Sequence, residues 1–148
     1  MLLVTGITGL TGRFLYEEIQ QTYKEKKIKY LVRKTSDISW INKNENIVYG
    51  DLRSPESFDD IFNDVTEVLH LAPRNQLKNI LQECNRYGIK RIYYINSTGI
   101  YSKFKKSSHV DLQNEKALKS SDIVYTIIRP TMIYGNHQDG NNHLLAKI

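Results

Sequence analysis

Three glycines at a spacing of three residues follow a short apolar run at the start of the chain. The segment 5–12 reads Thr-Gly-Ile-Thr-Gly-Leu-Thr-Gly and is followed by a stretch with helical periodicity. A strand, a turn of this kind and a helix together predict a phosphate-binding loop, because the N–H groups that begin the helix face the anion. We expect Gly6 to make the sharp turn, Gly9 to let a phosphate approach the backbone, and Gly12 to let the helix pack closely on the strand.

Apolar runs and helical patterns alternate along the rest of the chain. The predicted strands are residues 2–5, 28–32, 46–49, 67–71, 91–96 and 123–128. The predicted helices are residues 11–23, a short helix capped by Ser36 or Asp37, one that starts at Ser54, residues 76–87 and 111–120, and one that begins near Asn141. This alternation predicts an α/β fold, a doubly wound parallel sheet of the Rossmann type with about six strands in three αβα layers. The 148 residues fit a single domain spanning 1–148.

The periodicity also predicts which helix faces meet the sheet. The residues expected to face inward are Phe14, Leu15 and Ile19 in the first helix, Leu77, Ile80, Leu81 and Cys84 in the helix at 76–87, and Leu112, Ala117 and Leu118 in the helix at 111–120. The outward face of the helix at 76–87 is polar and comprises Lys78, Gln82, Glu83 and Arg86.

Charge and cysteine content restrict the class of protein. The formal charge is +5, and lysines cluster at 24–29 and 103–106. Binding of nucleic acid through these lysines is the weaker interpretation, and solvated helix ends and loops are the favoured one. The sequence has one cysteine, Cys84, and no metal-ligand spacing, so we expect neither a disulfide nor a metal site. With no signal-like or membrane-spanning run, we expect a cytoplasmic protein.

Two cations follow the second predicted strand. Arg33 and Lys34 stand where a dinucleotide fold meets the adenosine ribose, and the nearest acid, Asp37, lies several residues further on. An acidic residue at this point would hold the free 2′-hydroxyl of NAD, whereas cations suit the 2′-phosphate of NADP. The sequence therefore predicts that NADP(H) is preferred over NAD(H).

The chain resembles the extended and atypical short-chain dehydrogenase/reductases, which include sugar-nucleotide epimerases and NmrA-like NADP-binding proteins. The resemblance rests on TGITGLTG at 5–12, LVR at 31–33, GDLRSPESF at 50–58, LHLAP at 69–73, KRIYYINSTGIYS at 90–102 and TIIRPTMIYG at 126–135. It implies roles by position. The cofactor-binding residues would be Gly6, Thr8, Gly9, Leu10, Thr11, Gly12, Arg33, Lys34, Asp51, Leu52, Leu71, Ala72, Pro73, Arg129, Pro130 and Thr131.

Within that assignment, the resemblance implies that Asp51 and the Leu52 backbone meet the adenine, and that Arg129, Pro130 and Thr131 lie near the nicotinamide end. Ser97 matches the family's catalytic Ser or Thr. The family's Tyr and its Lys four residues later fall on Ser107 and Asp111, which cannot replace them. A literal Tyr-x-x-x-Lys is present at Tyr101 and Lys105, in the loop that follows the fifth predicted strand and four residues after Ser97.

Two functions stay open at this point. The first is NADP-dependent oxidoreductase or epimerase chemistry on an unknown small substrate, with Ser97, Tyr101 and Lys105 as candidate catalytic residues. The second is a non-catalytic NADP-binding sensor or regulatory module, which the altered Tyr/Lys pair favours. Relatives of this kind continue into a substrate-covering lobe. From the polar helix faces we expect a monomer, or a weak homodimer formed through the C-terminal edge near Ile133 and Tyr134.

Overall fold

The computed structural model describes residues 1–131, except 24, 26, 55, 57, 59 and 102–106. Within these residues the strands are β1 Leu2–Thr5, β2 Ile28–Val32, β3 Asn46–Tyr49, β4 Glu67–His70, β5 Arg91–Ile95 and β6 Val124–Ile128. The α-helices are α1 Leu10–Thr22, α2 Leu77–Arg86 and α3 Ser107–Lys119, and short 3-10 helices span Arg74–Gln76 and Thr98–Tyr101. The helix predicted from Asn141, the C-terminal edge at Ile133 and Tyr134, and Lys105 lie outside the described residues.

All six strands are parallel and lie in the order β3-β2-β1-β4-β5-β6. The chain first builds the sheet outward from β1 through β2 to β3, then returns to the other side of β1 for β4. The predicted Rossmann-type parallel sheet is confirmed. The topological switch point lies between β1 and β4, where Thr5 is in register with His70. In such sheets, ligands bind beyond the carboxyl ends of the strands at this point.

Each face of the sheet carries its own apolar core. Leu3 lies in a cluster with α2, and its neighbours Leu2 and Val4 lie in a second cluster with Tyr16 of α1. Alternate residues of a strand point to opposite faces, so the two clusters cover both sides of one sheet. The three-layer arrangement is therefore confirmed. Among the described residues, none of the helices is both long and apolar enough to cross a membrane.

The helix predicted after β2 is a turn instead. After β2, the Ser36 N–H donates to the Arg33 carbonyl at 2.9 Å, and the Asp37 carboxylate accepts the N–H and hydroxyl of Ser39. Asp37 therefore closes a local turn rather than capping a helix, a competition typical of short polar side chains. In the segment predicted as a helix from Ser54, Glu56 lies in a 3-10 helix and residues 60–64 are turns.

A buried lysine stabilises the turns at 60–64. Lys29 of β2 is 7% exposed, and its ammonium donates to the carbonyls of Ile61 and Asn63 at 3.1 and 2.9 Å. Asp60 and Asp64 adopt positive φ, which ends any helical path between them. The apolar positions of the segment still face the core, where Phe58, Ile61 and Phe62 are buried.

Helix faces differ from the prediction in α1 and α3. In α1, Tyr16 and Ile19 are buried and the predicted Leu15 is partly buried against the same cluster, but Phe14 is 52% exposed. In α2 the predicted stripe from Leu77 to Cys84 is buried as expected, but Glu83, assigned to the outer face, is buried as well. In α3, Leu112 is 55% exposed and Ala117 is exposed, whereas Asp111, Glu115 and Leu118 are buried. The reason is that the two carboxylates of α3 each meet an arginine.

Candidate dinucleotide-binding site

A cavity of about 450 Å³ opens at the carboxyl ends of the central strands, at the switch point. Its wall combines the turn after β1, the ends of β2 and β3, and the segment after β4. The predicted cofactor residues that line it are Gly6, Thr8, Gly9, Arg33, Asp51, Leu52, Leu71, Ala72 and Pro73. The first cavity, as we call it, thus collects residues from four separate parts of the sequence, and its size is typical of a small-molecule site.

The loop that follows β1 needs glycine at two positions. Gly6 adopts φ +80°, and a Cβ there would lie 2.5 Å from the backbone nitrogen of Ala72. A Cβ on Gly12 would collide with the carbonyl oxygens of Ile7 and Gly6. The sharp turn at Gly6 and the close packing at Gly12 are the arrangements that the glycine spacing predicts.

The first turn of α1 begins without a side-chain cap among the described residues. Gly9 is the N-cap in an extended conformation, it makes no side-chain capping bond, and no acidic residue stands in the first turn. Such a helix start carries unsatisfied N–H groups and the positive end of the helix dipole. Because Gly9 also lines the first cavity, a phosphate placed there would meet these donors. The predicted residues Leu10, Thr11 and Gly12 lie in this first turn.

The wall formed after β2 holds a cation and an unused hydroxyl. Arg33 is exposed at the strand end and lines the first cavity, as does Ser36. The Ser36 hydroxyl oxygen is buried and has no hydrogen-bond partner among the described residues. The sequence prediction missed Ser36 as a site residue because it treated this residue as a helix cap. Lys34, also predicted, is exposed and is not among the described residues that line the cavity.

Asp51 and Leu52 lie at the far wall of the first cavity. The Asp51 carboxylate accepts bonds from the guanidinium and backbone N–H of Arg53, which hold its pKa at about 2. Leu52 is buried, and its carbonyl accepts a bond of 2.6 Å from the Asn79 side chain. The Asn79 bond fixes the backbone of Leu52, so the cavity wall is held in place from α2.

A second cavity, of about 480 Å³, lies beside the first and shares Leu71, Ala72 and Pro73 with it. Its other lining residues are Arg74, Asn75, Ile95, Asn96 and Val110. It therefore lies at the carboxyl ends of β4 and β5, on the side of the switch point opposite to Arg33. The two cavities adjoin at this edge of the sheet, and the start of α1 lies at the first of them.

The candidate catalytic residues lie just beyond β5. The Ser97 hydroxyl accepts a bond of 3.0 Å from the Gly99 N–H. Tyr101 ends the following 3-10 helix and is 73% exposed. Neither residue is among the described residues that line the two cavities, and Lys105 lies outside the described part of the chain.

The residues after β6 are held by α3 and by the β5 loop. The Arg129 guanidinium donates two bonds to Glu115, at 2.7 and 2.6 Å, and this pairing lowers the pKa of the Glu115 carboxyl. The Pro130 carbonyl accepts the Thr98 N–H at 3.4 Å. Thr131 is exposed. These three predicted residues thus lie beside the Ser97 segment, and Arg129 is engaged in an ion pair.

The positions aligned with the family's Tyr and Lys fall on α3, one turn apart. Ser107 is the first residue of that helix. Asp111 is fully buried, and its Oδ2 accepts a bond of 2.6 Å from Arg74. A buried carboxylate therefore occupies the place of the expected cation. In the described part of the chain, no group of three or more His, Cys, Asp or Glu side chains has a geometry suited to a metal ion.

Comparison with known proteins agrees with this geometry. The family model described as NAD(P)H-binding matches residues 6–147, so the chain belongs to the NAD(P)H-binding family. The family match confirms the predicted resemblance at the level of an NAD(P)H-binding domain. Curated protein sequences gave no match.

Solved structures share the fold at low identity. The NADPH complex of the quinone oxidoreductase QOR2 from Escherichia coli is 22% identical, with a TM-score of 0.74 over 87% of this chain and 48% of that chain. A short-chain dehydrogenase/reductase from Veillonella parvula in complex with NADP is 15% identical, with a TM-score of 0.74 over 93% and 71%. A UDP-glucose 4-epimerase from Thermus thermophilus in complex with NAD is 20% identical, with a TM-score of 0.70 over 86% and 54%. The chain spans about half the length of the oxidoreductase and epimerase chains.

Proposed function

We propose that the chain binds NADP(H) in preference to NAD(H), with the adenosine half in the first cavity and the pyrophosphate at the start of α1. The observation that carries this proposal is the wall after β2, where Arg33 and the unpartnered Ser36 hydroxyl line one cavity. A guanidinium and a hydroxyl donate to a phosphate, and none of the described residues that line this wall is a carboxylate that would accept a ribose hydroxyl. Among the described residues that line the cavity, Asp51 is the acid, and its carboxylate is held by Arg53.

Titration calorimetry with NADPH and NADH tests the preference. The expected result is binding of NADPH at least about tenfold tighter than that of NADH, since bonds to a charged group contribute about 1.5–3 kcal/mol. Arg33→Ala removes most of this difference. Lys34→Ala, the neighbouring cation outside the described cavity wall, serves as the control and keeps most of it. Equal affinity of the unmodified protein for the two cofactors contradicts the NADP assignment.

For the reaction, the proposal is NADPH-dependent reduction or epimerase-type chemistry on a small substrate. The cofactor would supply or accept the hydride, and the hydroxyls of Ser97 and Tyr101 are the candidate proton donors. Ser97 follows Asn96, which lines the second cavity, and Tyr101 ends the 3-10 helix that comes next; this position after β5 supports the assignment. Turnover of NADPH over a panel of quinones, aldehydes and nucleotide sugars tests it, and Tyr101→Phe is expected to abolish that turnover.

A non-catalytic NADP(H) sensor is the second candidate, and one observation favours it. Asp111 occupies the position of the family's lysine and is buried in an ion pair, so the usual cation beside the reacting hydroxyl is absent from that position. A sensor retains tight cofactor binding and shows no turnover across the panel. Steady turnover that Tyr101→Phe abolishes contradicts the sensor.

A further inference from the structure

Arg74 lines the second cavity and forms an ion pair with the buried Asp111. Its Nη1 donates to Oδ2 of Asp111 at 2.6 Å, and Asp111 is fully buried whereas the Arg74 side chain is 37% exposed. The carboxylate therefore lies in the protein interior, and it is paired with an arginine that lines the cavity. Residue 74 belongs to a 3-10 helix, whose backbone is tied to α3 because the Asn114 side chain donates to the Arg74 carbonyl at 2.8 Å.

Most donors of this guanidinium are unused. A guanidinium has five N–H donors in a planar fork, and the Nε and Nη2 groups of Arg74 donate to no described residue. No described residue that lines the second cavity is acidic. Arg74 is therefore a positively charged residue of the cavity wall with hydrogen-bond donors that no described residue accepts. Its partner carboxylate, Asp111, is buried in the interior.

A second polar group in the same wall also lacks a partner. Asn96 is 5% exposed, and its side-chain nitrogen donates to Glu115 at 2.9 Å. Its side-chain oxygen is buried with no hydrogen-bond partner among the described residues. The other walls are apolar and comprise Leu71, Ala72, Pro73, Ile95 and Val110.

We propose that the second cavity binds the anionic group of a small, otherwise apolar substrate, with Arg74 as the group that binds the anion and Asp111 as the residue that positions it. The substrate class is a carboxylate with an apolar body. This proposal deepens the function proposed above, because the anion would lie beside the nicotinamide half of the cofactor. A pre-positioned guanidinium fork suits a carboxylate, since two parallel N–H donors match its two oxygens.

The probe is benzoate, with benzamide as the neutral molecule of the same shape. Each is titrated calorimetrically into the protein alone and into the protein saturated with NADPH. The expected result is benzoate binding at least about tenfold tighter than benzamide binding, as a charge-assisted bond predicts. Arg74→Gln alone leaves Asp111 buried without its cation and is expected to fold poorly. The test variant is therefore Arg74→Gln with Asp111→Asn, which removes both charges and keeps an amide pair.

In the double variant, benzoate affinity is expected to fall to that of benzamide while NADPH affinity changes less than about twofold. Thr98→Ala, in the loop after β5 and outside the described cavity wall, serves as the matched control and keeps the preference for benzoate. Benzoate binding that is unchanged in the double variant, or absent from the unmodified protein, overturns the proposal. A loss of NADPH affinity in the double variant, with benzoate unaffected, assigns Arg74 to the cofactor instead. Failure of NADPH to bind at all contradicts the proposed function. In that case the benzoate and benzamide titrations of the cofactor-free protein still test whether Arg74 binds an anion.

Discussion

The glycines between β1 and the first turn of α1 have different roles: one is needed for folding and another for cofactor binding. Gly12 packs against the carbonyls of Ile7 and Gly6, so a methyl group there has no space. A Cβ on Gly9 would lie 3.3 Å from the Gly6 carbonyl oxygen, which is a tight contact that small shifts relieve. The same Gly9 lines the first cavity. The two glycines therefore differ in what a methyl group would disturb.

Gly12→Ala is expected to lower the free energy of unfolding by about 1–3 kcal/mol, as overpacking does in closely packed interiors. Gly9→Ala is expected to change it by less than about 1 kcal/mol, and to weaken NADPH binding because its methyl group faces the phosphate. Urea unfolding and calorimetry on both variants measure the two effects. A Gly12→Ala protein as stable as the unmodified one contradicts the close packing.

His70 gives a pH-dependent contribution to stability. It is fully buried at the end of β4, its Nδ1 shares a bond of 2.8 Å with the Thr5 hydroxyl, and burial lowers its pKa to about 4. Between pH 6.5 and 4 the unfolded chain binds a proton at this residue that the folded chain does not. The contribution of neutral His70 to the free energy of unfolding is therefore fully present above pH 6.5 and is lost as the pH falls toward 4.

We expect the His70 contribution to the slope of unfolding free energy against pH to approach about 1.4 kcal/mol per pH unit in that window. His70→Asn, which keeps a side-chain partner for Thr5, is expected to flatten the slope while lowering stability overall. Denaturant unfolding at pH 7, 6 and 5 measures both slopes. Identical slopes in the two proteins contradict the role of His70.

At the scale of elements, the sheet was predictable and the turns and the face of α3 were not. Each strand was predicted within one residue at either end, because buried parallel strands are continuous apolar runs. The segments after Asp37 and Ser54 carry helix-capping residues, but side-chain bonds of Asp37 and Lys29 favour turns there. In α3, periodicity assigned Leu112 to the core. The partners of Asp111 and Glu115 come from distant loops, so no local pattern reveals that they are buried.

The buried acidic face of α3 gives a testable difference in stability. Glu115 is 5% exposed and receives two bonds from Arg129 and one from Asn96. Glu115→Ala leaves both donors without their carboxylate and is expected to lower the free energy of unfolding by about 3 kcal/mol. Leu112→Ala on the same helix, 55% exposed, is expected to change it by less than about 0.5 kcal/mol. If urea unfolding shows that Leu112→Ala lowers the free energy of unfolding more than Glu115→Ala does, Leu112 belongs to the core after all.

The candidate site was predictable in part, for a physical reason. Glycine spacing and residues directly after strands follow from the backbone path, and nine of the predicted residues line the first cavity. Ser36 and Arg74 line the two cavities without having been predicted, because their positions depend on turns and on a long-range ion pair. An unpartnered hydroxyl becomes visible only in three dimensions.

At the scale of the whole molecule, assembly is still a prediction. The outer face of α2 carries the exposed polar residues Gln82 and Arg86, and the exposed Leu112 stands on α3. A polar helix face supplies little of the apolar area that a stable dimer buries. We expect a monomer or a weak dimer in sedimentation across a concentration series. A tight dimer that Gln82→Glu with Arg86→Glu dissociates would show that α2 is the interface.

The central claim is that a nicotinamide dinucleotide binds across the switch point of this sheet. Backbone amide shifts in ¹H–¹⁵N spectra, recorded during titration with NADPH, locate the ligand directly in a chain of 148 residues. The account predicts the largest shifts at Gly6, Gly9, Arg33 and Ala72, with smaller changes at Asp64 and Lys90 on the opposite edge. Shifts concentrated away from the carboxyl ends of β1, β2 and β4, or no shifts at saturating NADPH, would contradict it.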